Sequence, residues 1–148
     1  CSRPDLKCEP WISDRLAIFA SPTHRLAGKR AISVSELAEV NWCLQPPASM
    51  TRVSLTMTII KYLNPIRIGF MASNPEEIKR AVMSGQGVGC LSRFAVHDEL
   101  KRGLLKEIRV KEFTLERMLS IVTRKDVYEG DLMAGFLSFA RSRLPSPK

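Results

Sequence analysis

The 148 residues are 45% hydrophobic and 26% charged, the balance of a folded domain and not of a disordered segment. Lysine and arginine number 23 against 15 acids, a net charge of +8, but the basic residues are scattered and only 7% of the chain is aromatic, which excludes an aromatic stacking platform for single strands. The apolar runs at 16–20 and 87–91 stop far short of the ~20 residues that a membrane helix needs.

In chain order, a Pro- and Cys-containing entry leads to Asp14-Arg15-Leu16-Ala17-Ile18-Phe19-Ala20-Ser21, a short apolar run closed by Pro22 that reads as a buried strand. Ser33 or Ser35 then caps a short helix carrying Glu36 and Leu37, and Trp42-Cys43-Leu44 is a second strand stopped by Pro46-Pro47. Val53, Leu55, Met57, Ile59, Ile60 and Leu63 have the spacing of a largely buried helix ending near Asn64-Pro65. Alternation makes residues 66–70 a strand. The clearest local signal follows: Ser73-Asn74-Pro75-Glu76-Glu77 combines a cap, a first-turn proline and two acids before Ile78, Ala81 and Val82 on one face.

That helix ends at Ser84-Gly85, and Gln86-Gly87-Val88-Gly89-Cys90-Leu91 reads as a buried strand entered through glycines. A short helix to Gly103, strands at 104–108 and 118–122, and an amphipathic helix through Leu132, Phe136, Leu137, Phe139 and Ala140 complete the chain before a Pro/Ser-rich tail. Strands alternating with helices in this way predict a layered α/β fold around a largely parallel sheet.

Catalytic constellations do not assemble. His24 and His97 read as surface residues, neither forms a metal pair at helical spacing, and there is no GxSxG elbow. Cys1, Cys8, Cys43 and Cys90 lack zinc spacing and are expected to be reduced thiols of a cytoplasmic protein. The Gly85–89 run lies between a helix and a strand, the reverse of a phosphate loop, so it is read as a helix cap followed by close strand packing. No enzyme activity, cofactor or metal is therefore expected. What remains is binding: Ser49 and Thr51 precede one helix, and Ser73 and Asn74 another, each after a strand. Helix starts present free N–H groups and partial positive charge, so two of them beside one crevice suit a small anion or polar acid. Arg52 would add a guanidinium fork if turned inward.

The same residues carry a family resemblance. Ser21-Pro22-Thr23-His24-Arg25-Leu26-Ala27 is similar to the "SPxHPLA" turn of LysR-type transcriptional regulators. Ala48-Ser49-Met50-Thr51-Arg52 resembles their "GSGTR" turn, and Ser73-Asn74-Pro75-Glu76-Glu77-Ile78-Lys79-Arg80-Ala81-Val82 their "sNeaIKxaV" helix. The run from Ser84 to Ser92 resembles "aGlGiaxLs", and the run from Glu99 to Leu105 resembles "eLxxGxL". Five motifs in the right order cover nearly the whole chain.

The resemblance implies the effector-binding region of such a regulator, a type 2 periplasmic-binding-protein-like α/β fold of two Rossmann-like lobes. The second lobe, 22–107, is complete, whereas 1–21 and 108–148 form a partial first lobe, with crossover strands near 21 and 108. It implies a small anionic or organic-acid effector in the interlobe cleft, lined by Ser49, Thr51 and Ser73 with Asn74 and Arg52. It also implies a homodimer or homotetramer, away from membranes, that reaches DNA through an N-terminal helix-turn-helix absent from these residues. A chain opening on Cys1 is expected to be a fragment or processed product. Ala48 and Met50 stand where the family turn carries glycines, and Arg25 where it carries proline, so the loop there is expected to differ. The alternative is a periplasmic solute-binding protein or lipoprotein of the same fold.

Overall fold

The computed structural model describes residues 3–63, 65–127 and 130–142. The chain divides into two compact units, Arg15–Glu116 and a smaller one formed by residues up to Asp14 with those from Arg117 onward. The elements are β1 (Leu6–Ala20), a 3-10 turn (Val34–Leu37), β2 (Asn41–Leu44), α1 (Met50–Ile59), β3 (Arg67–Met71), α2 (Pro75–Met83), β4 (Val88–Ser92), α3 (His97–Arg102), β5 (Lys106–Ile108), β6 (Glu116–Arg124) and α4 (Asp131–Ser142). Their order is the one expected from the pattern of apolar residues.

In the larger unit the sheet runs β3-β2-β4-β1-β5. β2 lies parallel to both β3 and β4, but β1 is antiparallel to β4 and β5, so the expected largely parallel sheet is a mixed one. Burial on both faces makes β2, β4 and the second half of β1 continuously apolar whichever way they run, and alternation carries no information about direction. Successive side chains supply opposite faces. Leu16, Ile18, Trp42 and Leu44 join Leu55 and Ile59 of α1 in one core layer, while Ala17, Phe19 and Cys43 join Ile78, Ala81 and Val82 of α2 in the other. Each fully buried Ile or Val of these helices contributes about 2 kcal/mol in apolar burial.

Three boundaries depart from expectation. β1 starts at Leu6, before the apolar run that marks its buried half. The helix expected to reach Asn64-Pro65 ends at Ile59, after which the amides of Tyr62 and Leu63 donate to the Ile59 carbonyl; Asn64 lies outside the described residues. The helix expected after Ser33 is a single 3-10 turn. His24 is half-buried, its Nδ1 accepting the Leu26 amide at 3.3 Å, and burial depresses its pKa, whereas His97 is exposed.

The cysteines also divide. Cys43 and Cys90 form no disulfide and are buried in opposite core layers, and burial pushes the Cys43 thiol up to about 11. Cys8 is disulfide-bonded, contrary to the expected reduced thiol; it sits in the half-buried early part of β1, outside both core layers.

In the smaller unit β6 pairs with β1. Trp11 donates from Nε1 to the Ala140 carbonyl at 3.1 Å, and Arg141 grips Glu9 through two hydrogen bonds of 2.8 and 2.7 Å, which fastens α4 to β1. Asp14, fully buried, accepts from Arg117 Nε at 2.8 Å. Among the described residues no helix is long and apolar enough to cross a membrane.

Candidate functional site

The candidate residues gather where two parallel strands end side by side. Leu44 at the end of β2 is in register with Met71 at the end of β3, and the Ala72 amide donates to the Leu44 carbonyl at 3.2 Å. Each strand then turns into a helix start, α1 after β2 and α2 after β3, and the two helices pack on opposite faces of the sheet. A crevice outside the carboxyl ends of such strands is where open α/β sheets take ligands.

The two helix starts differ in what they leave available. At α2, Asn74 is the N-cap and its Oδ1 accepts the Glu76 amide at 2.9 Å; Pro75 has no N–H, and the Glu77 amide donates to the Asn74 carbonyl at 3.2 Å. The donors of α2 are thus largely consumed by its own cap. Glu76 is directed to Lys79, at 2.7 Å. At α1, Ser49 holds the N-cap position in extended conformation, but its side chain makes no cap hydrogen bond, and the first amide paired within the helix is that of Val53, donating to the Ser49 carbonyl at 2.9 Å. The start of α1 carries the positive end of the helix dipole, which favours an anion.

Thr51, read as preceding this helix, lies within its first turn and is 8% exposed. Arg52 is half-buried and runs along the helix, Nε donating to Thr56 Oγ1 at 3.2 Å; burial depresses its pKa. Ser73 is exposed, and its hydroxyl makes no hydrogen bond among the described residues.

One residue that the sequence did not single out joins both starts. Gln45, directly after β2, donates from Nε2 to the Ser73 carbonyl at 3.2 Å and accepts the Ser49 hydroxyl on Oε1 at 2.9 Å. A lone glutamine between a strand and Pro46-Pro47 has no spacing signal, and only the adjacency of β2 and β3 shows its place.

A cavity of about 250 Å³ lies elsewhere in the larger unit, walled by Leu16, Ile18, Ile108 and Phe113 with Arg15 and Glu107 paired at 3.0 Å; none of the five candidate residues lines it. No group of His, Cys, Asp or Glu among the described residues could hold a metal.

This sheet, with helix starts at the strand ends and small polar side chains on them, defines a ligand-binding domain of the periplasmic-binding-protein type. Residues 1–145 match the family described as "LysR substrate binding domain", and the chain belongs to it. It is 31% identical over 139 residues to the uncharacterized HTH-type transcriptional regulator YeiE of Escherichia coli, covering 94% of this chain and 47% of that protein. To the HTH-type transcriptional regulator CysL of Bacillus subtilis it is 30% identical over 118 residues, covering 80% and 40%. The chain thus spans about half the length of the curated relatives it matches. The regulatory domain of Synechocystis CcmR, solved in complex with 2-PG, superposes with a TM-score of 0.85 at 21% identity, covering 99% of this chain and 70% of that one. The effector-binding domain of QuiR, in complex with shikimate, superposes at 0.79 with 17% identity, covering 95% and 66%. These relatives are transcriptional regulators and regulatory domains, which does not favour the solute-binding alternative.

Proposed function

We propose that this domain senses a small anion or organic acid for a LysR-type regulator, with the ligand's negative charge at the open start of α1 and polar contacts from Thr51 and Ser73. The α1 start, which has no side-chain cap, beside the exposed Ser73 carries this reading, because the positive end of a helix dipole at the end of the sheet favours an anion. Asn74 stands next to the ligand with its oxygen already used in capping, and Arg52 contributes charge from the helix flank and not a direct fork. Ligands bound in the CcmR and QuiR domains support the assignment by likeness of fold.

In this reading the larger unit, around residues 22–107, is the second lobe, and the smaller unit belongs to the first. The full-length protein acts in the cytoplasm as a homo-oligomer that binds DNA through a further domain, its occupancy set by the acid, and catalyses nothing.

The test is a thermal-shift screen of the full-length protein with sulfate, malate and shikimate, repeated on Thr51→Ala and Ser73→Ala. At a ligand concentration of about 100 Kd the stabilisation is about 2.7 kcal/mol. The wild type is expected to gain several degrees with at least one anion and each variant to gain clearly less. Equal gains in the variants would remove the site assignment, and no gain with any anion would remove the function.

A further inference from the structure

We propose that the cavity between β1 and residues 109–115 is a second ligand site, separate from the helix starts, and that it takes a small monocarboxylate with a compact apolar body. None of the residues assigned to the acid-binding reading above lines it, so the two stand or fall independently.

The cavity exists because a strand pairing is interrupted. β5 pairs with β1 as far as Ile108 opposite Ile18, and the Leu16 amide then donates to the Leu115 carbonyl at 2.8 Å, so the chain between bows away from β1. The bow is held on its far side, where the Ile32 amide donates to the Arg109 carbonyl at 2.9 Å and the Lys111 amide to the Ile32 carbonyl at 3.0 Å. Fastened at both ends and along its length, the segment does not settle onto β1, and about 250 Å³ stays open beneath it. Leu16, Ile18, Ile108 and Leu115, all buried, make the floor, with half-buried Val110 and Phe113 beside them. An apolar cavity of about 150 Å³ already takes up a six-membered hydrocarbon ring. This one has room for such a ring and one short substituent.

The mouth sets the sign of the charge. Arg15, Arg109 and Thr114, all exposed, stand at the opening, and Glu107 is the acid beside them. Both oxygens of Glu107 face cations, Oε1 with Arg15 at 3.0 Å and Oε2 with Arg93 at 3.6 Å. A cationic ligand would have to displace an arginine. The Arg109 guanidinium, by contrast, has no ion pair or side-chain hydrogen bond among the described residues, and its planar fork matches a carboxylate. One carboxylate at Arg109 and an apolar body on the floor satisfy both parts of the site. A dicarboxylate would press its second charge against buried aliphatic side chains, and a bare small anion would leave the floor uncovered.

The experiment is isothermal titration of the full-length protein with three ligands of one shape and different charge, cyclohexanecarboxylate, cyclohexylmethanol and cyclohexylmethylammonium, on wild type, Arg109→Gln and Ala31→Met. The wild type is expected to bind the carboxylate about tenfold more tightly than the alcohol, the worth of one charge-assisted hydrogen bond, and the ammonium more weakly than either. Arg109→Gln, a change at an exposed side chain, is expected to remove that tenfold preference and leave the affinity for the alcohol within about twofold. Ala31 lines the cavity, and Ala31→Met puts a longer apolar chain into the space, so both the carboxylate and the alcohol are expected to lose about tenfold or more. Carboxylate affinity unchanged in either variant, or an ammonium that binds as tightly as the carboxylate, would overturn the site. Failure of the carboxylate to bind the wild type would overturn it too, and leave the acid-binding reading to its own test with sulfate, malate and shikimate. Carboxylate binding lost in Thr51→Ala but kept in Arg109→Gln would put this ligand at the α1 start and overturn the second site alone.

Discussion

At the residue scale, the most constrained polar group in the larger unit is Lys79, whose side chain is 7% exposed. Its ammonium has three donors and three acceptors: Glu76 Oε1 at 2.7 Å, Glu99 Oε1 at 2.8 Å and the Ala95 carbonyl at 3.2 Å. Burial alone would depress this lysine, but the two carboxylates more than offset it and its pKa is raised. The Lys79 hydrogen bond holds the Glu99 carboxyl below its usual range. Lys79→Met leaves Glu99 half-buried without its cation and is expected to cost about 2 kcal/mol, less than for a fully enclosed pair because Glu76 is largely exposed. Urea denaturation at pH 7 measures it.

The pH dependence has a definite sign. A carboxylate with a depressed folded pKa stabilises fully above its unfolded value, about 4.3, and loses that contribution as pH falls through the folded value. The wild type is therefore expected to lose stability on acidification below about pH 5. Glu99→Gln should be less stable at pH 7 and show a shallower acid slope. An identical slope in the two proteins would mean that Glu99 is not a source of the acid sensitivity.

At the element scale, the turn from α2 into β4 shows how differently two glycines two residues apart are used. Gly85 has φ +85 at the end of α2, with open space where a Cβ would go, whereas Gly87 has φ +151 and a Cβ there would stand 2.1 Å from the Asn41 carbonyl oxygen. Gly85→Ala is expected to cost about 1 kcal/mol, the left-handed backbone penalty alone. Gly87→Ala must also push β2 away from the entry of β4 and is expected to cost about 3 kcal/mol or more. Thermal unfolding of the two variants separates them, and equal costs would show that Asn41 yields easily.

This turn was legible because glycine after an amphipathic helix and before an apolar run is a local signal. The α2 start was equally legible, since Asn74, Pro75 and the following acids act within one turn. β1 was only half visible. Its buried residues 16–20 form an apolar run, but its earlier part carries Lys7, Glu9 and Pro10 and reads as a loop until pairing with β6 is seen. The direction of β1 and the bridging of Ser49 and Ser73 by Gln45 are non-local: both depend on which strands become neighbours, and no periodicity of a single segment encodes that. Thr51 and Ser73 were visible as small polar residues at helix starts, but that α2 closes on itself and α1 stays open depends on where Asn74 and Ser49 direct their side chains.

At the scale of the whole molecule, the +8 charge is spread over both units and has no aromatic partner pattern, so its effect on a small anion is through the long-range field and not through a dedicated cluster. The candidate wall itself is made of amides and hydroxyls, and Arg52 beside it is occupied with Thr56. Steering and holding are then separable. Diffusional approach of an anion feels the net charge and is screened once the Debye length shrinks, from about 10 Å at 0.1 M salt to about 3 Å at 1 M. Hydrogen bonds at the α1 start act over one contact distance and are screened far less. Stopped-flow binding of whichever anion gives the thermal shift is expected to show an association rate falling about threefold between 0.05 and 0.5 M salt, with the dissociation rate unchanged. A dissociation rate that rises by the same factor would place a solvent-exposed charge in direct contact with the bound anion, and would point to Arg52 leaving Thr56 to bind it.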